Sequence, residues 1–130
     1  MALPNGTSGY QINAGNVNEA TLFVQSAPTA LTAAATVTAA QLASGLFTFD
    51  GTAGNMTLPT VALLEATIAS AEKVNAAFDF NVINIDSTDA VTLTVGTGWT
   101  IVGVAAISAL TSAHWRARKT GDGAWTCYRI

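Results

Sequence analysis

The apolar residues change period within residues 55–84, NMTLPTVALLEATIASAEKVNAAFDFNVIN, and that change constrains the fold more than any other feature. Thr57-Leu58-Pro59 closes a short strand, because proline cannot donate to a ladder. Thr60 then stands as the cap of a helix predicted over 61–71. Val61, Leu64 and Ile68 recur at helical spacing as one apolar stripe, with Glu65 and Glu72 on the solvated side. After Ala77 the period falls to two, with Phe78, Phe80 and Val82 on one face and Asp79 and Asn81 on the other. At Val82-Ile83 both faces become apolar, which predicts a strand covered on both sides. This stretch is the expected core and holds no candidate for chemistry.

The remaining chain reads as short strands separated by turns. Residues 21–25 alternate, with Leu22 and Val24 against Phe23, until Pro28 breaks them, and 31–37 form a weak, Ala-rich strand. Thr38-Ala39-Ala40-Gln41 is a capping-box pattern stopped by Gly45, enough for one or two helical turns. Residues 46–50 carry Phe47 and Phe49 on one face; after a turn the chain returns at Met56. Beyond a polar turn at 86–90, Val91, Leu93 and Val95 alternate with Thr92 and Thr94. Gly96-Thr97-Gly98 interrupts, and Trp99, Ile101 and Val104 continue on a further strand. Residues 113–119 set Trp115 and Ala117 against His114, Arg116 and Arg118, and Gly121-Asp122-Gly123 makes a hairpin into 124–130. Turns roughly every eight to twelve residues predict an all-β fold. The expectation is a mainly antiparallel sandwich or jelly-roll-like barrel, one domain over 20–130, with one short α-helix at 61–71.

Half of the 130 residues are hydrophobic and only 10% are charged, against about a quarter in ordinary domains. No charge occurs before Glu19, between Glu19 and Asp50, or between Asp89 and Arg116. Either the domain is unusually weakly charged or other chains cover much of its surface; the deficit favours cover. The few bases around one strand are too sparse for a nucleic-acid footprint. No apolar run reaches a membrane span, and the start lacks the basic region and apolar run of a signal peptide. A single cysteine, Cys127, excludes an internal disulfide and a cysteine-based zinc site.

Residues 1–19 are rich in Asn and Gly and hold too few apolar side chains for a core of their own. They read either as a disordered terminus or as an extended N-terminal arm that orders on a neighbour. In the second case Tyr10, Ile12 and Val17 are the anchors.

A search for chemistry yields little. His114 is the sole histidine, and Arg116 and Arg118 on its face oppose a bound cation. Cys127, between Trp125 and Tyr128, reads as a small buried hydrophobe. The two Gly-x-Gly fragments lack a following helix N-terminus and read as turns. Asp86 and Asp89 flank a turn, and Glu65 and Glu72 share a helix face. The expectation is no catalytic residue, no metal and no cofactor. Arg116, Arg118 and Lys119 stand out as a cationic cluster, either an exposed face paired within the sheet or a contact to an acidic partner.

The order of three segments carries a resemblance: VTAAQLASGLFTFDGTAGNMTLPTVALLEATI, FDFNVINIDSTDAVTLTVGTGWTIVG and the closing WTCYRI. Together they resemble a widespread β-rich structural domain of tailed-bacteriophage virions, over roughly residues 30–130. The carrying pieces are Thr-Leu-Pro before the helix, the Phe-x-Phe-x-Val-x-Asn strand and the Gly-x-Gly turn after the Thr-rich strand. The resemblance implies a capsid decoration, or cement, protein made in the bacterial host cytoplasm. It would sit as a homotrimer on the outer capsid surface, bound to the major capsid protein, as a non-enzymatic virion component. Such domains also end longer tail or fibre proteins; residues 1–29 of this sequence hold no long shaft, so the cement reading is the expected one. A receptor- or glycan-binding module is the competing class, resting on Trp99, Trp115, Trp125 and Tyr10 as stacking platforms.

Overall fold

The computed structural model describes residues 22–68 and 73–130. In chain order these form β1 (Thr29–Leu31), β2 (Ala35–Thr36), α1 (Ala39–Ser44), β3 (Leu46–Phe49), β4 (Gly54–Thr57) and α2 (Val61–Thr67). There follow β5 (Ala77–Asn84), β6 (Val91–Thr94), β7 (Trp99–Val102), β8 (Ala106–Ile107), β9 (Ser112–Gly121) and β10 (Ala124–Arg129).

Both helices start where the sequence signals them. Thr38 Oγ1 accepts from Gln41 N, and Gln41 Oε1 accepts from Thr38 N, so two otherwise unpaired donors of α1 are satisfied reciprocally. Gly45 ends α1 at φ 83, a left-handed conformation that glycine adopts without Cβ strain. Thr60 caps α2, accepting from Leu63 N. The predicted helix is too long, however. Ile68 has already turned extended (φ −94, ψ 109), and the expected end at Ala71 lies outside the described residues. Two local features accompany this end. Thr67 Oγ1 donates back to Leu63 O, which competes with the helical ladder, and the Ile68 side chain packs on the core.

The strands form two sheets, ordered β1-β3-β5-β9-β10-β7 and β2-β4-β6-β8. From β1 to β8 the chain alternates between them, odd strands in the larger and even strands in the smaller. This corrects the mainly antiparallel expectation. Four of the neighbouring pairs two strands apart in sequence, β1–β3, β3–β5, β2–β4 and β4–β6, run the same way and are parallel, as is β7–β10. Antiparallel pairing is confined to β5–β9, β9–β10 and β6–β8. The turns carry the chain across to the other sheet instead of back alongside, and α1 and α2 occupy two of these crossings. The chain therefore does not return beside β3 at Met56, because β4 belongs to the other sheet.

The two mixed sheets share one apolar core. Phe47, Phe80 and Trp115 from the larger sheet meet Met56, Leu93 and Ile107 from the smaller, with Leu42 and Leu64 from the helices. The rings of Phe80 and Trp115 stack at 6.4 Å, and Trp99 lies 5.9 Å from Trp125. Asn84 is the buried polar hinge of this core. It donates to the carbonyls of Asp89, Ile107 and Ser108 and accepts from Asp86 N, joining the end of β5 to β8.

Four further expectations fail. Residues 22–25 form no strand; Leu22, Phe23 and Val24 are 88%, 83% and 99% exposed. The single strand expected at 31–37 splits, because a bend at 32–34 sends β1 and β2 to different sheets. Ile83 is 37% exposed, since among the described residues no layer covers its face of β5. Past β7, Gly103 at φ 109 redirects the chain, leaving Val104 exposed and starting β8 instead of prolonging β7. No helix among the described residues is long and apolar enough to cross a membrane.

Candidate functional site

Strand alternation brings the conspicuous polar residues to the outer face of the larger sheet. Asp79 pairs in register with Arg116, Asn81 with His114, and Arg116 with Tyr128 on β10. The Arg116 guanidinium grips Asp79 with both prongs, Nε to Oδ1 at 2.7 Å and Nη2 to Oδ2 at 2.8 Å. That bond, more than any other influence, holds the Asp79 carboxyl below the usual carboxylate range. The same carboxylate raises the Arg116 guanidinium in return. His114 sits between two β5 side chains, Nδ1 2.7 Å from Asn81 Oδ1 and Nε2 3.1 Å from Asp79 Oδ2. Asp79 and Asn81 are the orienting partners of His114, and only the β5–β9 register could have revealed them.

Arg118 is held differently. Its Nη1 donates to Asn75 Oδ1 and its Nη2 to the Tyr128 hydroxyl, each at 2.8 Å, and the guanidinium lies 5.7 Å from the Tyr128 ring centre. These partners are neutral, so the charge is oriented without being cancelled. Among the described residues no carboxylate pairs with it.

Lys119 does not belong to this cluster. The period of two turns it inward beside Trp115 and Ala117, where it is 4% exposed. Its Nζ lies 2.8 Å from Glu65 Oε1, and the same oxygen accepts from Trp125 Nε1 at 3.1 Å. Glu65, expected on a solvated helix face, thus faces the core edge. The hydrogen bond from Lys119, and then that from Trp125, draw its carboxyl below the usual range. Tyr10, Ile12 and Val17, the proposed anchors of the arm, lie outside the described residues.

A second feature escaped the sequence reading altogether. A groove of about 680 Å³ runs between α1 and α2, with Val37, Ala39, Ala40, Leu58, Leu63 and Ala66 among its walls. Its polar side chains are threonines, and among the described residues no charged side chain lines it. The cause is side-chain size: alanines on facing turns are too short to close the gap between two helices. Leu63 stands on the rim, 60% exposed, off the buried stripe of α2.

The other candidates have structural employment. Cys127 is fully buried, and burial pushes its thiol up to about 12. Asp86 Oδ1 accepts from the backbone N–H of Asp89 and Thr88, closing the polar turn. Trp99, Trp115 and Trp125 are all interior. Among the described residues no His, Cys, Asp and Glu side chains gather into a group of three that could hold a metal ion.

No known protein family, no curated protein and no solved structure matches this chain.

Proposed function

We propose that this chain is a structural binding protein that decorates the outer capsid of a tailed phage as a homotrimer and stabilises the shell. The observation that carries the reading is a small domain whose surface is poor in charge and rich in unsheltered apolar side chains. Leu22, Phe23, Val24, Leu63, Val104 and Leu110 are all well exposed on a chain of which 10% is charged. Such a surface favours cover by protein. The resemblance of residues 30–130 to phage virion domains supplies the partner class, a major capsid protein.

In this reading the two sheets act as the layers of a jelly-roll-like sandwich, and shape and contact area do the work. Binding across neighbouring shell subunits favours the assembled state by linkage, without any reaction. Arg118, oriented by neutral partners, supplies an unbalanced positive charge toward an acidic capsid surface, with Arg116 beside it sharing its charge with Asp79. Lys119 is buried against Glu65 and takes no part. Stacking on a glycan is less well supported, because the three tryptophans it would use are interior.

Co-sedimentation tests the reading. Purified protein mixed with empty shells of a phage whose genome encodes the chain should pellet with them, saturably. Protein that stays in the supernatant at every shell concentration overturns it.

A further inference from the structure

We propose that the uncharged groove between α1 and α2 receives residues 1–18 of a neighbouring copy, laid beside the edge of β2 opposite β4. The inference rests on the trimer reading above and extends it to a specific contact.

The chemistry of the two parts matches. Among the described residues no charged side chain lines the groove, and no residue before Glu19 carries one. A charged side chain would lose ion hydration on entering such a groove with nothing to replace it; the side chains of this segment lose none. Tyr10 and Ile12 are two residues apart, so an extended backbone directs both side chains to the same side, toward the apolar walls.

The backbone can be satisfied as well. Among the described residues β2 pairs only with β4, and none of them pairs with its other edge. Thr36 and Val37, at the end of β2, are groove residues. A segment lying there gains main-chain hydrogen bonds from the strand edge and side-chain burial from the groove, the two parts of strand-addition recognition.

The start of the described chain indicates whose segment it is. Gln25 Nε2 donates to Ser44 O at 2.7 Å, fixing the chain at the C-terminal end of α1. Just before it, Leu22, Phe23 and Val24 are almost fully exposed, with no cover from the described residues of their own domain. A neighbouring copy that takes up the preceding segment can cover these side chains as well. At about 3.3 Å per residue the segment before Leu22 spans up to roughly 70 Å, ample reach for an adjacent subunit.

A cross-linking experiment tests this. Ile12→Cys is introduced into a tagged chain and Leu63→Cys into an untagged one; the two are co-expressed and mildly oxidised. Leu63 is exposed, so its substitution leaves the core intact. Tagged–untagged disulfides should form about tenfold faster than with Val102→Cys, an exposed position on the edge strand β7, as the control partner. No preference over the control overturns the inference. So does a double variant, Ile12→Cys with Leu63→Cys, that links within one chain, because the groove then holds its own arm. Light scattering on the same samples separates the two claims. A trimeric mass without preferential cross-linking removes the arm contact and leaves the trimer; a monomeric mass removes both.

Discussion

Lys119 Nζ lies 2.8 Å from Glu65 Oε1, an ion pair that ties β9 to α2. The lysine side chain is 5% exposed and the carboxylate 28%, and Trp125 Nε1 completes the carboxylate's hydrogen bonding. Removing one member of a fully buried pair costs about 3–5 kcal/mol; with Glu65 partly solvated, Glu65→Gln should cost on the order of 2 kcal/mol. The pH dependence has a definite sign. The folded Glu65 carboxyl titrates below its unfolded value, so the folded state binds fewer protons in acid. Its contribution is complete above the ordinary carboxylate pKa of about 4.3 and is lost as pH falls through the lowered folded value. Urea denaturation at neutral and acid pH should therefore show Glu65→Gln closer to wild type in acid than at pH ~7. An equal deficit at both would contradict the pair's role.

Cys127 titrates with the opposite consequence. Its thiol stays protonated in the fold to about 12, whereas the unfolded thiol ionises near its ordinary pKa, about 8.5. Stability is thus complete below about pH 8.5 and falls as pH rises through the window up to the folded value, by up to about 1.4 kcal/mol per pH unit. Cys127→Ser should remove this alkaline loss and cost on the order of 1–3 kcal/mol at neutral pH, since a buried hydroxyl needs a partner. Thiol labelling of native protein should be slow; rapid labelling at pH ~7 would contradict burial.

Gly98 sits where two elements close on the chain. At φ 96, a Cβ there would lie 2.7 Å from Gly123 O and 2.8 Å from Val61 Cβ, the first residue of α2. Gly98→Ala should cost about 2–4 kcal/mol, combining backbone strain with overpacking. Gly121→Ala, with nothing within 4 Å of its Cβ, should cost less than about 1 kcal/mol. Chemical denaturation of the two variants checks the contrast.

What was legible in the sequence was local. The Thr38–Gln41 capping box, the Phe47 and Phe49 face and the alternation from Phe78 to Val82 each depend on a few neighbouring residues, and each is present. What was illegible depended on distance along the chain. Turns at 32–34 and 51–53 send the chain to the other sheet, and nothing in their residues distinguishes that from a hairpin. The Trp125–Glu65 contact spans 60 positions, and a lysine flanking two arginines reads as surface until its opposite strand face is known to be core. The groove arises from what Ala39, Ala40 and Ala66 leave unfilled, a property of two helices together.

Arg118 should matter to binding without mattering to folding. Arg118→Glu removes a positive charge held only by neutral groups, so the denaturation midpoint should stay within about 1 kcal/mol of wild type. Association with an acidic shell surface should weaken and become less sensitive to salt. Unchanged binding across a salt titration would leave Arg118 as an ordinary surface charge. Arg116→Glu is the poorer test, because it also strands Asp79.

If copies of this chain cover one another's uncharged surface, its mass in solution shows it directly. Multi-angle light scattering of the full chain at micromolar concentration should give three times the 13.3 kDa of one chain. A clean single species at 13.3 kDa would contradict the account.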